Sequence, residues 1–479
     1  MTNVEYNASV QALLGTSLAP GSQFPPDARQ RGYTVNEAQR VDPILALDLD
    51  AAAKAMIEEA RPRLDSLAPC ADKANGAANC AETFIRDFGA KAYRRPLVDE
   101  QVDALKALYA AGAEDATYED GIELTLRGML QSPSFLYLTE IGPGTPEVDI
   151  RMDAHEIASA LSFLFTGGPP DATLQELATG DDLLDPAERE AQARRLFASS
   201  AGQTRAVQMI QEWLSLDRIL QTSKDSTVHQ EFGDLRDDMD EETRAFIRSV
   251  LGDKGDVASF LSSTAEMGSG PLVSMYGENN GPQRSGLLNQ GSFLSVFAHA
   301  QDTAPVLRGV NVLRKVLCQT IELPGSLAVQ IIPPVPDPEK TTRERFAIHS
   351  QDGVCAECHE SIDSIGFAFE GFDAMGAYRT KENNKDVDST TKIALGLGFD
   401  GDYADSNELA AAISQSDLAR QCFGQQMFSA NSGEGIDTLG YEKTFAQLLS
   451  GLPLDQQGQL LEILVTFVKD DMFVERRAQ

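Results

Sequence analysis

Apolar residues return at helical spacing along most of the chain. In "DAHEIASALSFLFTGG", Ile157, Leu161 and Phe165 fall on one face, Asp153 precedes the run, Glu156 follows three positions later and Gly167 closes it. A cap, a reciprocal acidic partner and a glycine stop together predict a helix with both ends defined. "LLDPAEREAQARRLF" places Asp185 before Pro186, where a missing N–H costs a first turn nothing. "DEQVDALKALYAAG" aligns Val102, Leu105 and Tyr109, and "MDEETRAFIRSVL" aligns Phe246, Ile247, Val250 and Leu251. Such stripes predict faces turned to a core.

Between the helical runs lie stretches that cannot continue a helix: "GPGTP" at 142–146, "GSGP" and "ENNGPQRSG" within 268–286, and "IIPPVPDPEK" at 331–340. The fold expected is mainly α: several small helical modules joined by short irregular or β connections. The breaks suggest modules at 1–64, 65–145 (with a Cys70/Cys80 loop), 146–280, 281–383 (with a Cys-rich segment) and 384–479. No internal repeat of fixed period is present. "FDGDYADSNE" clusters Asp400, Asp402 and Asp405 without the order of a calcium loop, and reads as a solvated turn.

Composition narrows the function. With 40 basic and 73 acidic residues the net charge is −33, a field that repels phosphate backbones and anionic membrane surfaces. Nucleic acid is excluded as a natural partner; a redox partner protein, or a small-molecule or polymer substrate, fits better. No apolar run of about 18 residues offers a transmembrane segment. The first residues read as a helix, with no basic segment leading into an apolar one, so the expectation is an exported protein seen without its leader. No Gly-rich phosphate loop, Ser-His-Asp order or His-Glu-x-x-His pattern is found.

The chemistry concentrates in "DGVCAECHESIDSIGFAFEGFDAMGAYR". Six cysteines and five histidines in 479 residues make a chance Cys-x-x-Cys-His rare. Haem attachment needs two thiols a helical turn apart for the two vinyl groups and a His directly after the second, which Cys355, Cys358 and His359 supply. Zinc would need two further ligands, usually a second close pair, and only His349 lies nearby. A structural or redox dithiol is the third reading. Asp363, four residues beyond His359, comes within reach of its ring if the helix continues, or else closes a turn on its own backbone. Cys70 and Cys80 bracket the polar loop "ADKANGAAN", as a disulfide would. Cys318 and Cys422 form either a second bridge or two separate buried thiols; two bridges plus two thioethers would use all six thiols, as outside the cytoplasm.

Stretches in a familiar order run along the chain: "VEYNASVQALLG" with "FPPD"; "FIRDFGAKAYRRPLVDEQV" with "GMLQSPSFLY"; "EIASALSFLFTG" with "EWLSLDRI"; "RSGLLNQGSFLSV" with "TAPVLRGVNVLRKVLCQ"; the Cys-rich segment; and "LARQCFGQQMF". In these the chain resembles, over nearly its whole length, secreted bacterial multi-module proteins of unknown function with an embedded c-type-cytochrome-like segment. The resemblance implies one covalent haem c, held by Cys355 and Cys358, with His359 as proximal ligand, and a periplasmic or extracellular location. Ser364 departs from the Pro usual after "ID", a change expected to loosen the turn that follows, and the leader is a second departure.

Met375, His349 and His299 are the candidates for a second iron ligand, an open or water-bound iron being the alternative. Arg308 and Arg379 are candidates to pair with haem propionates, against the plainer reading of salt bridges in an acid-rich chain. His155 and His229 show no partner pattern, and Trp213 reads as a core anchor. Three functions fit: an electron-transfer cytochrome, a haem-based oxidoreductase with a substrate pocket over open iron, and a binding or docking protein of the cell envelope in which haem or zinc is structural.

Overall fold

The computed structural model describes residues 1–30, 32–34, 41–142, 149–265, 268, 270–276, 284–321, 337–347, 353–432 and 442–477; of 149, 353–358, 431, 432, 442–444 and 477 it describes the backbone alone. Helix makes up 62 % and strand 5 %, so the fold is mainly α. The chain forms two compact units, Met1–Gln30 with Thr34–Arg205 and Phe467–Gln479, and Arg31–Tyr33 with Ala206–Thr466.

In the first unit, α1 (Asn3–Leu14) starts at Thr2, whose side chain accepts the Glu5 N–H while Glu5 reaches back to the Thr2 N–H, and it stops at Gly15 in a left-handed conformation, φ 60°. Then come α2 (Pro43–Ala60), capped by Asp42, α3 (Ala77–Tyr93), α4 (Asp99–Ala113) and α5 (Tyr118–Leu130). Their apolar stripes meet in one core that includes Val10, Met56, Ile85, Val102, Leu105, Ile122 and Phe135. Cys70 and Cys80 are disulfide-bonded, which closes the polar loop ahead of α3. In α6 (Ala154–Thr166) Asp153 and Glu156 form the reciprocal cap and Gly167 the left-handed stop; Ile157, Leu161 and Phe165 are buried. Asp185 caps α7 (Pro186–Phe197), with Pro186 in its first turn. The strand Asp149–Arg151 pairs antiparallel with Glu475–Arg477, Ile150 opposite Arg476. Fully buried Arg189 of α7 ties in the same C-terminal segment by donating to the carbonyls of Val468 and Lys469.

The second unit is built on α8 (Phe232–Asp253), α9 (Gly291–Val296), α10 (Pro305–Asn311), α11 (Gly353–Phe367), α12 (Ser406–Ser414) and α13 (Asp417–Ser432). Phe246, Ile247 and Val250 of α8 are buried, and Leu251 is half-buried at the edge of the stripe. Trp213 is fully buried: its indole donates to the Lys315 carbonyl at 2.7 Å and its ring meets Phe423 edge-on. Cys318 and Cys422 form the second disulfide, across 104 residues, so the alternative of two separate thiols does not hold. The polar stretch after the Cys-rich segment is more ordered than its composition suggests. Asn383 and Asn384 both have positive φ and turn a hairpin that pairs Lys381–Glu382 with Lys385–Asp386, and Thr391–Ile393 pairs with Gly401–Tyr403. The acidic turn therefore divides its work: Asp400 accepts the Leu395 and Gly396 N–H groups, Asp402 lies in a strand, and Asp405 caps α12.

Candidate functional site

The Cys-x-x-Cys-His motif lies on α11, an unbroken helix of 15 residues. What fixes that helix is its contact with α10, at two glycines. A Cβ on Gly309 would sit 2.1 Å from the Ile362 carbonyl oxygen, and one on Gly366 would sit 2.1 Å from that of Pro305. The two backbones therefore touch, which a side chain at either position would prevent. Around this contact Ile362 and Ile365 are buried. The second half of α11 is thus locked in the core while the first half carries the motif. The departure at Ser364 does not loosen the segment: the helix continues to Phe367, and the Ser364 hydroxyl donates to the Ser361 carbonyl at 3.0 Å.

One turn links the motif to the locked half. His359 Nδ1 lies 3.1 Å from Asp363 Oδ1. The Asp363 side chain is only 6 % exposed and that of His359 23 %. Asp363 therefore pairs with the ring, and the alternative of a turn on its own backbone is set aside. Burial raises the Asp363 pKa above the usual carboxylate range, with the hydrogen bond from His359 pulling the other way. Its Oδ2 is buried and has no hydrogen-bond partner among the described residues. Burying a carboxylate costs several kcal/mol. An i,i+4 pair on a helix returns about 0.5 kcal/mol. With Nδ1 engaged, Nε2 is the nitrogen by which this imidazole would ligate a metal.

The side chains of Cys355 and Cys358 lie outside the described residues, as does His349 altogether. The other four cysteines are closed in disulfides. A vicinal pair of thiols followed by an orientable imidazole is the donor set that covalent haem requires, so the residues present fit that group. Among the described residues no cluster of three or more His, Cys, Asp or Glu gathers as a metal cage would need.

Arg308, 0 % exposed, donates to four backbone carbonyls, those of Leu294, Phe369, Phe372 and Asp373. Burial pushes its pKa down to about 10. It clamps the loop after α11 onto α9, and the reading as a propionate partner gives way to this structural one. Arg379 pairs with Glu370 at 2.9 Å and with Glu382 at 3.4 Å, the arrangement of the salt-bridge alternative. Met375 packs on a cluster containing Phe232, Met239, Leu272 and Tyr276, as a core filler does. His299 is exposed in a loop whose carbonyls, its own included, are gathered by Lys224. His229 is buried against the Gln301 carbonyl at 3.0 Å, and His155 is half-buried on α6.

Two buried polar groupings escaped the sequence reading. Glu370, 1 % exposed, accepts from Thr303 and Arg379, and burial raises its pKa. Its one sequence signal is a lone acid inside the aromatic run "GFAFEGF". Glu242 accepts the Tyr276 hydroxyl at 2.5 Å and the Gly268 N–H at 2.7 Å, while the Arg284 guanidinium stacks 3.7 Å from the centre of the Tyr276 ring. No local pattern announces that group, because its members come from separate segments.

Comparison with known proteins agrees with a modular chain. Residues 1–62 match PSD3, protein of unknown function (DUF1587); 80–140 match PSD5, protein of unknown function (DUF1595); 152–277 match PSD4, protein of unknown function (DUF1592); and 284–382, which contain the Cys-x-x-Cys-His motif, match PSCyt3, protein of unknown function (DUF1588). No curated protein and no solved structure matches the chain. Among the described residues, no helix is long and apolar enough to cross a membrane. The chain is a multi-module protein in which four stretches are each similar to a domain family of unknown function.

Proposed function

We propose that this chain is an exported redox protein with one covalently bound haem c, attached through Cys355 and Cys358 and ligated by His359. The observation that carries the reading is the division of the cysteines: four are closed in two disulfides, and the remaining two stand with a histidine on a single helix. Two disulfides fit an oxidising compartment, the periplasm or cell exterior, where c-type haem is also attached. In this role the thiols of Cys355 and Cys358 hold the macrocycle, His359 ligates by Nε2, and the α10–α11 glycine contact keeps the ligand helix from shifting. The bound group supplies one-electron redox chemistry. Its partner is an electron-exchanging protein or an oxidisable small-molecule or polymer substrate, and the acidic surface favours a partner with a basic face.

The test is to export the protein in cells with haem-attachment machinery and to extract it with acid acetone. Retained haem in the wild type, and extractable or absent haem in Cys355→Ser and Cys358→Ser, is the expected result. Haem that is absent from the wild type, or that extracts freely from it, overturns the reading; zinc found instead supports a structural metal site.

A further inference from the structure

The carboxylate against His359 carries an inference that rests on the haem reading and deepens it. The ring is held by a buried acid: Nδ1 is 3.1 Å from Asp363 Oδ1, and Asp363 is 4 % exposed. The second carboxylate oxygen has no hydrogen-bond partner among the described residues, so its charge is not dispersed over other donors. Burial of that acid costs more than a helix pair returns, which argues against a role in helix stability alone. The acid also sits on the locked half of α11, between Ile362 and the glycine contact at Gly366, and holds the ring from a fixed point. A carboxylate accepting the Nδ1 proton makes an imidazole a stronger electron donor at Nε2 and fixes its tautomer.

We propose that Asp363 is a positioning residue for His359: it fixes the plane and tautomer of the ring and makes it a strongly donating ligand, so that the centre favours ferric iron. Such a bias suits a site that gives electrons to an oxidant more than a carrier poised at high potential by a thioether ligand. Met375, the thioether nearest in sequence after the motif, is engaged in the core cluster around Tyr276.

The experiment compares the haem-loaded wild type with Asp363→Asn and Asp363→Glu, measuring the midpoint potential and the iron–histidine stretching band of the ferrous form. Asp363→Asn keeps the shape and loses the charge. It should shift the ferric/ferrous equilibrium at least tenfold toward ferrous, about 59 mV for one electron, and lower the stretching frequency; Asp363→Glu should recover part of both. Covalent haem with potential and band unchanged in Asp363→Asn overturns the proposal while leaving the haem reading intact. Absence of haem from wild type and variants alike overturns the haem reading, and the proposal with it. Should Asp363→Asn alone fail to load, Asp363→Ala decides: a potential and band moved in the direction expected for Asp363→Asn support the role, and an unmoved band and potential refute it.

Discussion

Replacing Gly309 by Ala tests the claim that the α10–α11 crossing holds the motif helix in place. The new Cβ would lie 2.1 Å from the Ile362 oxygen, 3.0 Å from its carbonyl carbon and 3.2 Å from the Gly366 nitrogen, where ordinary contact begins near 3.4 Å. The helices must part by the difference, 3.4 − 2.1 = 1.3 Å, because all three atoms are backbone and none can rotate away. Overpacking of a tight core costs about 1–3 kcal/mol, and a backbone obstacle belongs at the upper end. Ala gains about 1 kcal/mol over Gly in a helix interior, which leaves a net loss of about 2 kcal/mol. Gly252 on α8 is the control, since a Cβ there meets nothing within 4 Å. Asp253 ends that helix, so Gly252→Ala should be neutral or gain up to about 1 kcal/mol. Trp213, the only tryptophan, is buried in the second unit and reports its unfolding in urea by fluorescence. The double variant with Gly366→Ala should lose less than the sum of the two, because helices already separated accept the second methyl more easily. A Gly309→Ala protein as stable as the wild type would refute the close crossing.

Three further outcomes follow from the same structure. Removing the bridge with Cys318→Ala and Cys422→Ala opens a loop spanning 104 residues, for which chain entropy gives a loss of about 4.7 kcal/mol. The Cys70–Cys80 bridge spans 10, for which the same relation gives about 2.7 kcal/mol; urea midpoints of the two double variants should rank in that order, and the reverse order would contradict it. Arg308→Met takes the guanidinium donor from four carbonyls, of which those of Phe369 and Asp373 keep a backbone N–H, and should cost the second unit at least about 2 kcal/mol; a loss under about 1 kcal/mol by Trp213 fluorescence would contradict the clamp. Burial raises the Glu242 pKa, so the folded protein holds that proton more tightly than the unfolded chain. Its contribution is therefore complete below the ordinary carboxylate range, near about 4.3, and is lost as pH rises through the raised folded value. Stability of the wild type relative to Glu242→Gln should fall as pH rises from that range, and a pH-independent difference would contradict it.

The parts that were legible in the sequence are those where chemistry is local. A cap at Asp153 with Glu156 three residues on, a proline after Asp185 and a stripe through Val102, Leu105 and Tyr109 are each complete within one or two helical turns, and each is present as read. The His359–Asp363 pair was legible as a possibility, because i,i+4 residues meet whenever the helix continues; only the structure shows that it does continue past Ser364. Arg308 was misleading because an arginine in an amphipathic segment looks the same whether it reaches a carboxylate or four carbonyls 61 to 65 and 14 residues away in the chain. The hairpin at Asn383–Asn384 was hidden by short strands of charged residues, which lack alternation and are held by the turn. Asp405 looked like part of an acidic cluster because a cap is recognisable only once the helix after it is known.

The central claim is that Cys355 and Cys358 are reserved for a covalent haem while the other four cysteines are bridged. The most direct measurement is the intact mass of the exported protein, unreduced, after treatment with a thiol-alkylating reagent under denaturing conditions. The expected mass is that of the chain plus one haem, with no alkylated thiol. A chain without haem, carrying either two alkylated thiols or a third disulfide, would contradict it.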